Sequence, residues 1–180
     1  MFSKRVNMLW NQFDDNWGSA AYGILMKEIS DGTVEHNTFS RNTVGIFMEG
    51  TSRIHTSNNV FKYNGWAMRV QASCENNTIT QNNYFGNTFD VGTNGTLQLN
   101  KFHSNYWDKY EGYDLNKDGV GDISYQPVSL YNMIVEKMPA ASILLRSFLV
   151  TIMDKTERVI PSITPVELKD DKPLMKPLKL

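Results

Sequence analysis

A single cysteine, Cys74, in 180 residues leaves no intrachain disulfide framework to hold this chain together. Neither sign of charge is in excess: the formal net charge is −1, so nothing electrostatic calls for nucleic acid or an anionic membrane as partner. No run approaches the roughly 18 to 20 apolar residues of a transmembrane helix. Met1 to Val6 carries two basic residues but neither the apolar stretch nor the small-residue cleavage site of a signal peptide.

Asparagine is abundant and periodic. The hexad Asn-x-Phe/Ile-x-x-Asn begins at Asn11, Asn37, Asn59, Asn77 and Asn100, at intervals of 26, 22, 18 and 23 residues. A unit recurring near 22 residues signals stacked coils, each burying its apolar face on its neighbours. Each copy sets one apolar residue (Phe13, Phe39, Phe61, Ile79, Phe102) between asparagines. In a parallel β-helix such asparagines stack from rung to rung, bond along the ladder and tolerate the left-handed backbone of tight corners.

The stretches after the hexads support the same reading. Gly23-Ile24-Leu25-Met26-Lys27, Gly45-Ile46-Phe47-Met48-Glu49 and Gly65-Trp66-Ala67-Met68-Arg69 alternate with period two. Aligned on their glycines, they put Ile24, Ile46 and Trp66 inward with Met26, Met48 and Met68. Lys27, Glu49 and Arg69 then stack outward with alternating sign. Residues 6 to 107 therefore read as an all-β solenoid, a right-handed parallel β-helix of four to five rungs.

The hexad pattern is already running at Asn11, which leaves no room for a cap on the first rung. On this ground the chain reads as the C-terminal part of a longer protein. The organisation expected is repeats over 1–107, an aromatic and acidic loop over 108–128, helices over 129–160 and a proline-rich extended tail over 161–180. Leu130, Ile134 and Met138 make one helical face before Pro139. From Ala140 to Val159 a broad apolar face opposes a stripe of Ser142, Arg146, Ser147, Thr151, Asp154, Lys155 and Arg158. Such a helix could cap the solenoid or dock on a partner, and Arg146 argues against its insertion in a bilayer.

Three non-repeating stretches carry a family resemblance: Asn16-Trp17-Gly18-Ser19-Ala20-Ala21-Tyr22-Gly23, Asn87-Thr88-Phe89-Asp90-Val91-Gly92-Thr93-Asn94-Gly95, and the run from Asn105 to Asp122. Leu144-Leu145-Arg146-Ser147 and Pro173-Leu174-Met175-Lys176-Pro177 add to it. Together they resemble the C-terminal half of the NosD family, accessory proteins in the maturation of copper-dependent nitrous oxide reductase. The resemblance implies a periplasmic, non-enzymatic scaffold working with an ABC transporter permease and ATPase. It further implies handling of copper or a copper-sulfur precursor, with a copper chaperone or the reductase as partner.

Copper calls for soft ligands. The inward placing of Met26, Met48 and Met68 favours core filling over a thioether site. Cys74 reads as a small buried residue, and His36, His55 and His103 fall in different repeat phases, so no copper ligand can be assigned. The sharpest motif is Asp114, Asn116, Asp118 and Gly119, the first half of an EF-hand-like loop in which the Val120 carbonyl and Asp122 would complete a Ca²⁺ set. Tyr125 occupies the place of the usual bidentate glutamate, and an Asx-rich turn without metal is the competing reading. A polysaccharide lyase or hydrolase would need convergent acids. Asp14, Asp15 and Asp90 are the nearest, and they lie in different phases. A purely structural repeat protein is the third reading.

Overall fold

The computed structural model describes residues 2–95, 99–145, 147–159 and 168–180. Arg146, Pro161 and Pro165, and the side chains of Asp154 and Arg158, lie outside that description. The architecture is a parallel β-solenoid of three sheets, of six, four and five strands, whose neighbouring strands come from successive coils. The five-stranded sheet stacks Gln12–Asp14, Thr38–Ser40, Val60–Lys62, Asn83–Phe85 and Tyr106–Trp107.

Inside that sheet runs a file of rings. Phe13, Phe39, Phe61, Tyr84 and Trp107 stack with successive centroid distances of 5.0, 4.9, 4.9 and 4.0 Å. Beside them runs the asparagine ladder: each amide nitrogen donates to the next Oδ1, from Asn11 through Asn37, Asn59 and Asn82 to Asn105, at steps of 26, 22, 23 and 23 residues. The fourth and fifth hexads therefore belong elsewhere. Asn77 and Asn100 form a separate ladder in the six-stranded sheet, with Ile79 paired to Phe102. Requiring Phe or Ile in the ring slot hides Asn82, whose slot holds Tyr84, and Asn105, whose slot holds Trp107 and whose sixth position is Tyr110 instead of asparagine. The apparent interval of 18 residues comes from jumping between two corners.

A second ladder passes from Asn16 through Asn42 and Asn64 to Asn87. The ladder asparagines do not themselves take the left-handed backbone. That falls to the residue before each: Trp10, His36, Asn58, Gln81 and Ser104 all have φ between 55° and 59°. Such a conformation costs an L-residue roughly 1 to 2 kcal/mol. Inter-coil amide bonds offset it, for instance from Asn58 to the Gln81 carbonyl at 3.0 Å.

The four-stranded sheet corrects the glycine alignment. Ile24 pairs with Ile46 and Met26 with Met48, but the next strand, Trp66–Val70, is displaced by two residues. Met68 pairs with Ile46 and Val70 with Met48, so the methionine column ends at two members. Lys27 and Glu49 do form an ion pair at 3.2 Å, whereas Arg69 sits beside Phe47 and reaches Glu136 instead. Gly65 directly follows its ladder asparagine, while Gly45 lies three residues after Asn42. Counting from the ladder makes Ala67 the equivalent of Gly45.

Helix α1 (Leu130–Lys137) is capped by the Ser129 hydroxyl, which accepts from the Asn132 amide. Its buried face is Tyr131, Asn132 and Val135, and Ile134 and Met138 point to solvent. The apolar periodicity at 130, 134 and 138 thus marks the wrong face, because a tyrosine and an asparagine do the packing. Pro139–Leu144 is a 3₁₀ turn and α2 spans Phe148–Val159, so the helix expected from Ala140 is two elements. Helix α1 lies against the four-stranded sheet and α2 packs on α1, rather than over the solenoid's end: Phe89, Tyr131, Val135, Ala141 and Val150 form a satellite core with Trp66 at its edge. Trp66 is accordingly turned toward the helix, donating to Asn132 at 3.0 Å, and does not fill the interior.

The end is closed by other residues. Trp107, Val128 and Leu168 join the main core, and residues 168–178 run across the last coil. Asp170 bridges Phe102 in parallel and Tyr125 in antiparallel fashion, and Leu174 bridges Tyr106. The last part of the tail is thus packed structure.

Candidate functional site

Soft metal donors are present but dispersed. Met26, Met48 and Met68 are buried, and the Met68 sulfur accepts the Tyr84 hydroxyl at 3.2 Å. Cys74 is free, buried and contacts the Thr51 hydroxyl at 3.3 Å. His36 stacks on Trp10 with centroids 4.1 Å apart, His55 approaches Glu35 at 3.7 Å, and His103 lies 3.2 Å from the Thr80 hydroxyl. Among the described residues no three His, Cys, Asp or Glu side chains converge as a metal site. Among the described residues, the soft donors named here are therefore not gathered at one place.

The 114–122 loop folds around its own acids. Asp114 accepts from the amides of Asp118 at 3.2 Å and Gly119 at 2.8 Å, and Asn116 from the Asp118 amide at 3.1 Å. Asp118 accepts from the Val120 amide and Asp122 from the Leu115 amide, at 2.8 and 2.7 Å. The sharp turn is made by Lys117 and Gly119 at φ 61° and 87°. The oxygens at alternate positions are used by the loop's own amides.

The three acids considered for sugar chemistry are not brought together. Asp14 bonds Ser40, and Asp15 makes a bidentate pair with Arg41 at 2.7 and 2.8 Å, both in the first coils. Those contacts, the serine hydroxyl for Asp14 and the guanidinium for Asp15, hold both carboxyls below the usual range. Asp90 sits in the last strand of the four-stranded sheet, fully enclosed. Its Oδ2 accepts the Tyr125 hydroxyl at 3.1 Å and lies 3.5 Å from the Lys109 ammonium. Burial pushes this carboxyl up from its ordinary value despite the lysine.

The helical layer exposes large apolar side chains. Helix α2 buries Val150 against α1 and the sheet, while Phe148 is 80% exposed, Leu149 54% and Ile152 43%. Ile143 in the preceding 3₁₀ turn is 86% exposed. Side chains of this size on one side of a short helix mark an interaction surface. Arg69 and Glu136 anchor the helical layer with an ion pair at 2.5 Å in which Glu136 is almost wholly buried. Asn132 adds a bond to the Val91 carbonyl at 2.5 Å. Neither Asn132 nor Glu136 stands out in sequence, since each looks like a polar residue on a solvated face.

The chain matches the family described as periplasmic copper-binding protein (NosD) over residues 1–114. It is similar to the probable ABC transporter binding protein NosD of Stutzerimonas stutzeri, at 27% identity, with 98% of this chain aligned to 44% of that protein. The protein of the same name from Pseudomonas aeruginosa is 24% identical, with 86% of this chain aligned to 40% of its length. The chain thus spans less than half the length of these curated relatives.

Proposed function

This chain belongs to the NosD family, and from that premise we propose that it is a non-enzymatic binding scaffold, periplasmic, in the maturation of copper-dependent nitrous oxide reductase. It works beside an ABC transporter, the association that the names of its relatives carry. The observation that bears most weight is the exposed face of Phe148, Leu149 and Ile152 on α2, which packs on α1, the helix that Glu136 ties to Arg69 of the solenoid. A rigid β-solenoid holds such a face in fixed orientation, as a docking element requires. No helix among the described residues is long and apolar enough to cross a membrane.

Copper is cargo on this reading. Met26, Met48, Met68 and Cys74 are spent in packing and the exposed donors are scattered, so copper or a copper-sulfur species is handled with ligands from a partner, a chaperone or the reductase, or from the portion of the longer relatives that this chain does not match. The 114–122 loop is a weak Ca²⁺ site at most, because metal must compete with the amides that Asp114, Asn116 and Asp118 already hold.

The test is co-purification of the transporter with the full-length family protein carrying Phe148→Ser, Leu149→Ser and Ile152→Ser. Deleting the whole tail is unsuitable, since residues 168–178 close the solenoid. Loss of the transporter with an unchanged circular dichroism spectrum is expected. Undiminished capture overturns the docking role.

A further inference from the structure

Between the last coil, the 108–127 loop and α2 lies a cavity of about 680 Å³. That volume falls within the roughly 300 to 1,000 Å³ of small-molecule clefts. Its wall combines three kinds of group. Rings come from Phe89, Tyr110, Tyr125 and Tyr131, hydroxyls from Thr88, Ser124 and Thr151, and charge from Asp90, Lys109 and Glu111.

Asp90 is the unusual member. It is 98% buried by residue, and its Oδ1 has no hydrogen-bond partner among the described residues. Its other oxygen takes the Tyr125 hydroxyl and faces Lys109. A buried carboxylate oxygen without a donor is costly, and native structures seldom leave one so. The missing partner is an N–H or O–H group.

The neighbouring lysine decides which. Lys109 carries three N–H donors, and they are directed to the Asn87 carbonyl at 2.7 Å, the Thr88 carbonyl at 3.1 Å and Asp90. Its charge already compensates Asp90, and a second cation beside it would be repelled. A neutral donor meets the need without that repulsion. Rings flanked by hydroxyls and a carboxylate suit a molecule with apolar C–H faces and several O–H groups.

We propose that this cavity is a binding site for a neutral polyhydroxylated ligand, of cyclitol or disaccharide size, with one ligand hydroxyl donating to Asp90 Oδ1. The site is independent of transporter docking: it faces inward between layers, and the apolar face of α2 points away from it. The ligand bridges Asp90 of the solenoid to Val150 and Thr151 of α2 and so braces the helix on the sheet.

The experiment is saturation-transfer NMR on the whole chain with myo-inositol, maltose, putrescine and inorganic phosphate as separate probes. Saturable binding of myo-inositol or maltose is expected. Asp90→Asn weakens it about tenfold through loss of a charge-assisted acceptor. Ser124→Trp, an exposed substitution that fills the cavity mouth, abolishes it with the circular dichroism unchanged. The proposal is overturned by silence of both polyols at tens of millimolar, by binding indifferent to both substitutions, or by binding of putrescine or phosphate instead. None of these outcomes bears on transporter capture.

Discussion

Asp170 Oδ2 accepts both the backbone amide and the side-chain amide of Asn105, each at 3.0 Å. Every asparagine in that ladder donates forward to the next, so the last one needs an acceptor that asks for nothing in return. An ionised carboxylate is acceptor-only. The same carboxylate takes the Ser104 amide at 3.0 Å, the Trp107 indole at 3.1 Å and the Lys172 amide at 3.1 Å. Asp170 thus ends the ladder and ties the tail to the last ring of the stack.

Asp170→Asn tests this. An amide must aim its NH₂ at two or three N–H donors, so we expect a loss of about 3 kcal/mol in urea unfolding, given about 1 to 3 kcal/mol per unsatisfied buried donor. Asp171→Asn, at the exposed neighbouring position, should change stability by less than about 0.5 kcal/mol. Equal effects at the two sites would remove Asp170 from the role.

Phe61 is fully buried between Phe39 and Tyr84. Phe61→Ala opens a gap in a stack that cannot collapse, because the coil spacing is fixed by backbone bonds. The expected cost is about 3 to 5 kcal/mol by chemical denaturation. A loss below about 1 kcal/mol would mean that the ring file contributes little.

These two residues also show what the sequence discloses. Phe61 is legible, because its ring recurs at coil spacing beside asparagines that repeat with it. The solenoid follows from that recurrence alone. Register is less legible: glycine is a poor anchor, since Gly45 and Gly65 occupy different places after their ladder asparagines, whereas counting from the ladder aligns Ala67 with Gly45. Asp170 is illegible. It contacts residues 63 to 66 positions earlier, and within Leu168-Lys169-Asp170-Asp171-Lys172 nothing separates the buried acid from its exposed neighbour. The cavity beside Asp90 is hidden for the same reason, being made by segments that meet only in the fold.

The helical layer should depend on Glu136. With Arg69 partly and Glu136 almost wholly enclosed, Glu136→Ala leaves a guanidinium short of its partner, and removing one member of a buried pair typically costs about 3 to 5 kcal/mol. The loss should appear as earlier unfolding of the helices in far-UV circular dichroism. Glu49→Ala breaks the exposed pair with Lys27 and should cost under about 1 kcal/mol. Equal costs would contradict the burial argument.

The acids should respond to pH with opposite signs. Asp14, Asp15 and Asp31 have native values below 3.8, held there by Ser40, Arg41 and Arg53 respectively. Their stabilisation is complete above 3.8 and fades as pH falls through the lower native values. Asp90 has its value raised by burial, so the native state binds more protons than the unfolded chain between 3.8 and that raised value. Stability contributed there falls as pH rises through the window. Asp90→Asn should therefore raise the melting temperature at pH 7 and lose that advantage below about pH 4. A melting temperature lowered at pH 7 would show that the Lys109 pairing outweighs burial.

The 114–122 loop is tested with Ca²⁺. Asp114, Asn116, Asp118, the Val120 carbonyl and Asp122 stand at the alternate positions of a Ca²⁺ loop, and Gly119 makes the turn that such loops need. Against this, Tyr125 replaces the bidentate glutamate and makes a bridge with Asp170 at the solenoid's end. A sixth or seventh oxygen must then come from water, and binding must disturb the amide bonds to Asp114, Asn116 and Asp118. Both effects weaken the site, which places any affinity in the range of about 10⁻⁴ to 10⁻³ M known for low-affinity extracellular modules. Isothermal titration should give a saturable heat near millimolar Ca²⁺ that Asp118→Ala removes, without a comparable response to Mg²⁺, whose octahedral demand the loop cannot meet. Heat absent up to several millimolar, or identical in Asp118→Ala, would leave the loop as an Asx turn whose acids serve its own backbone.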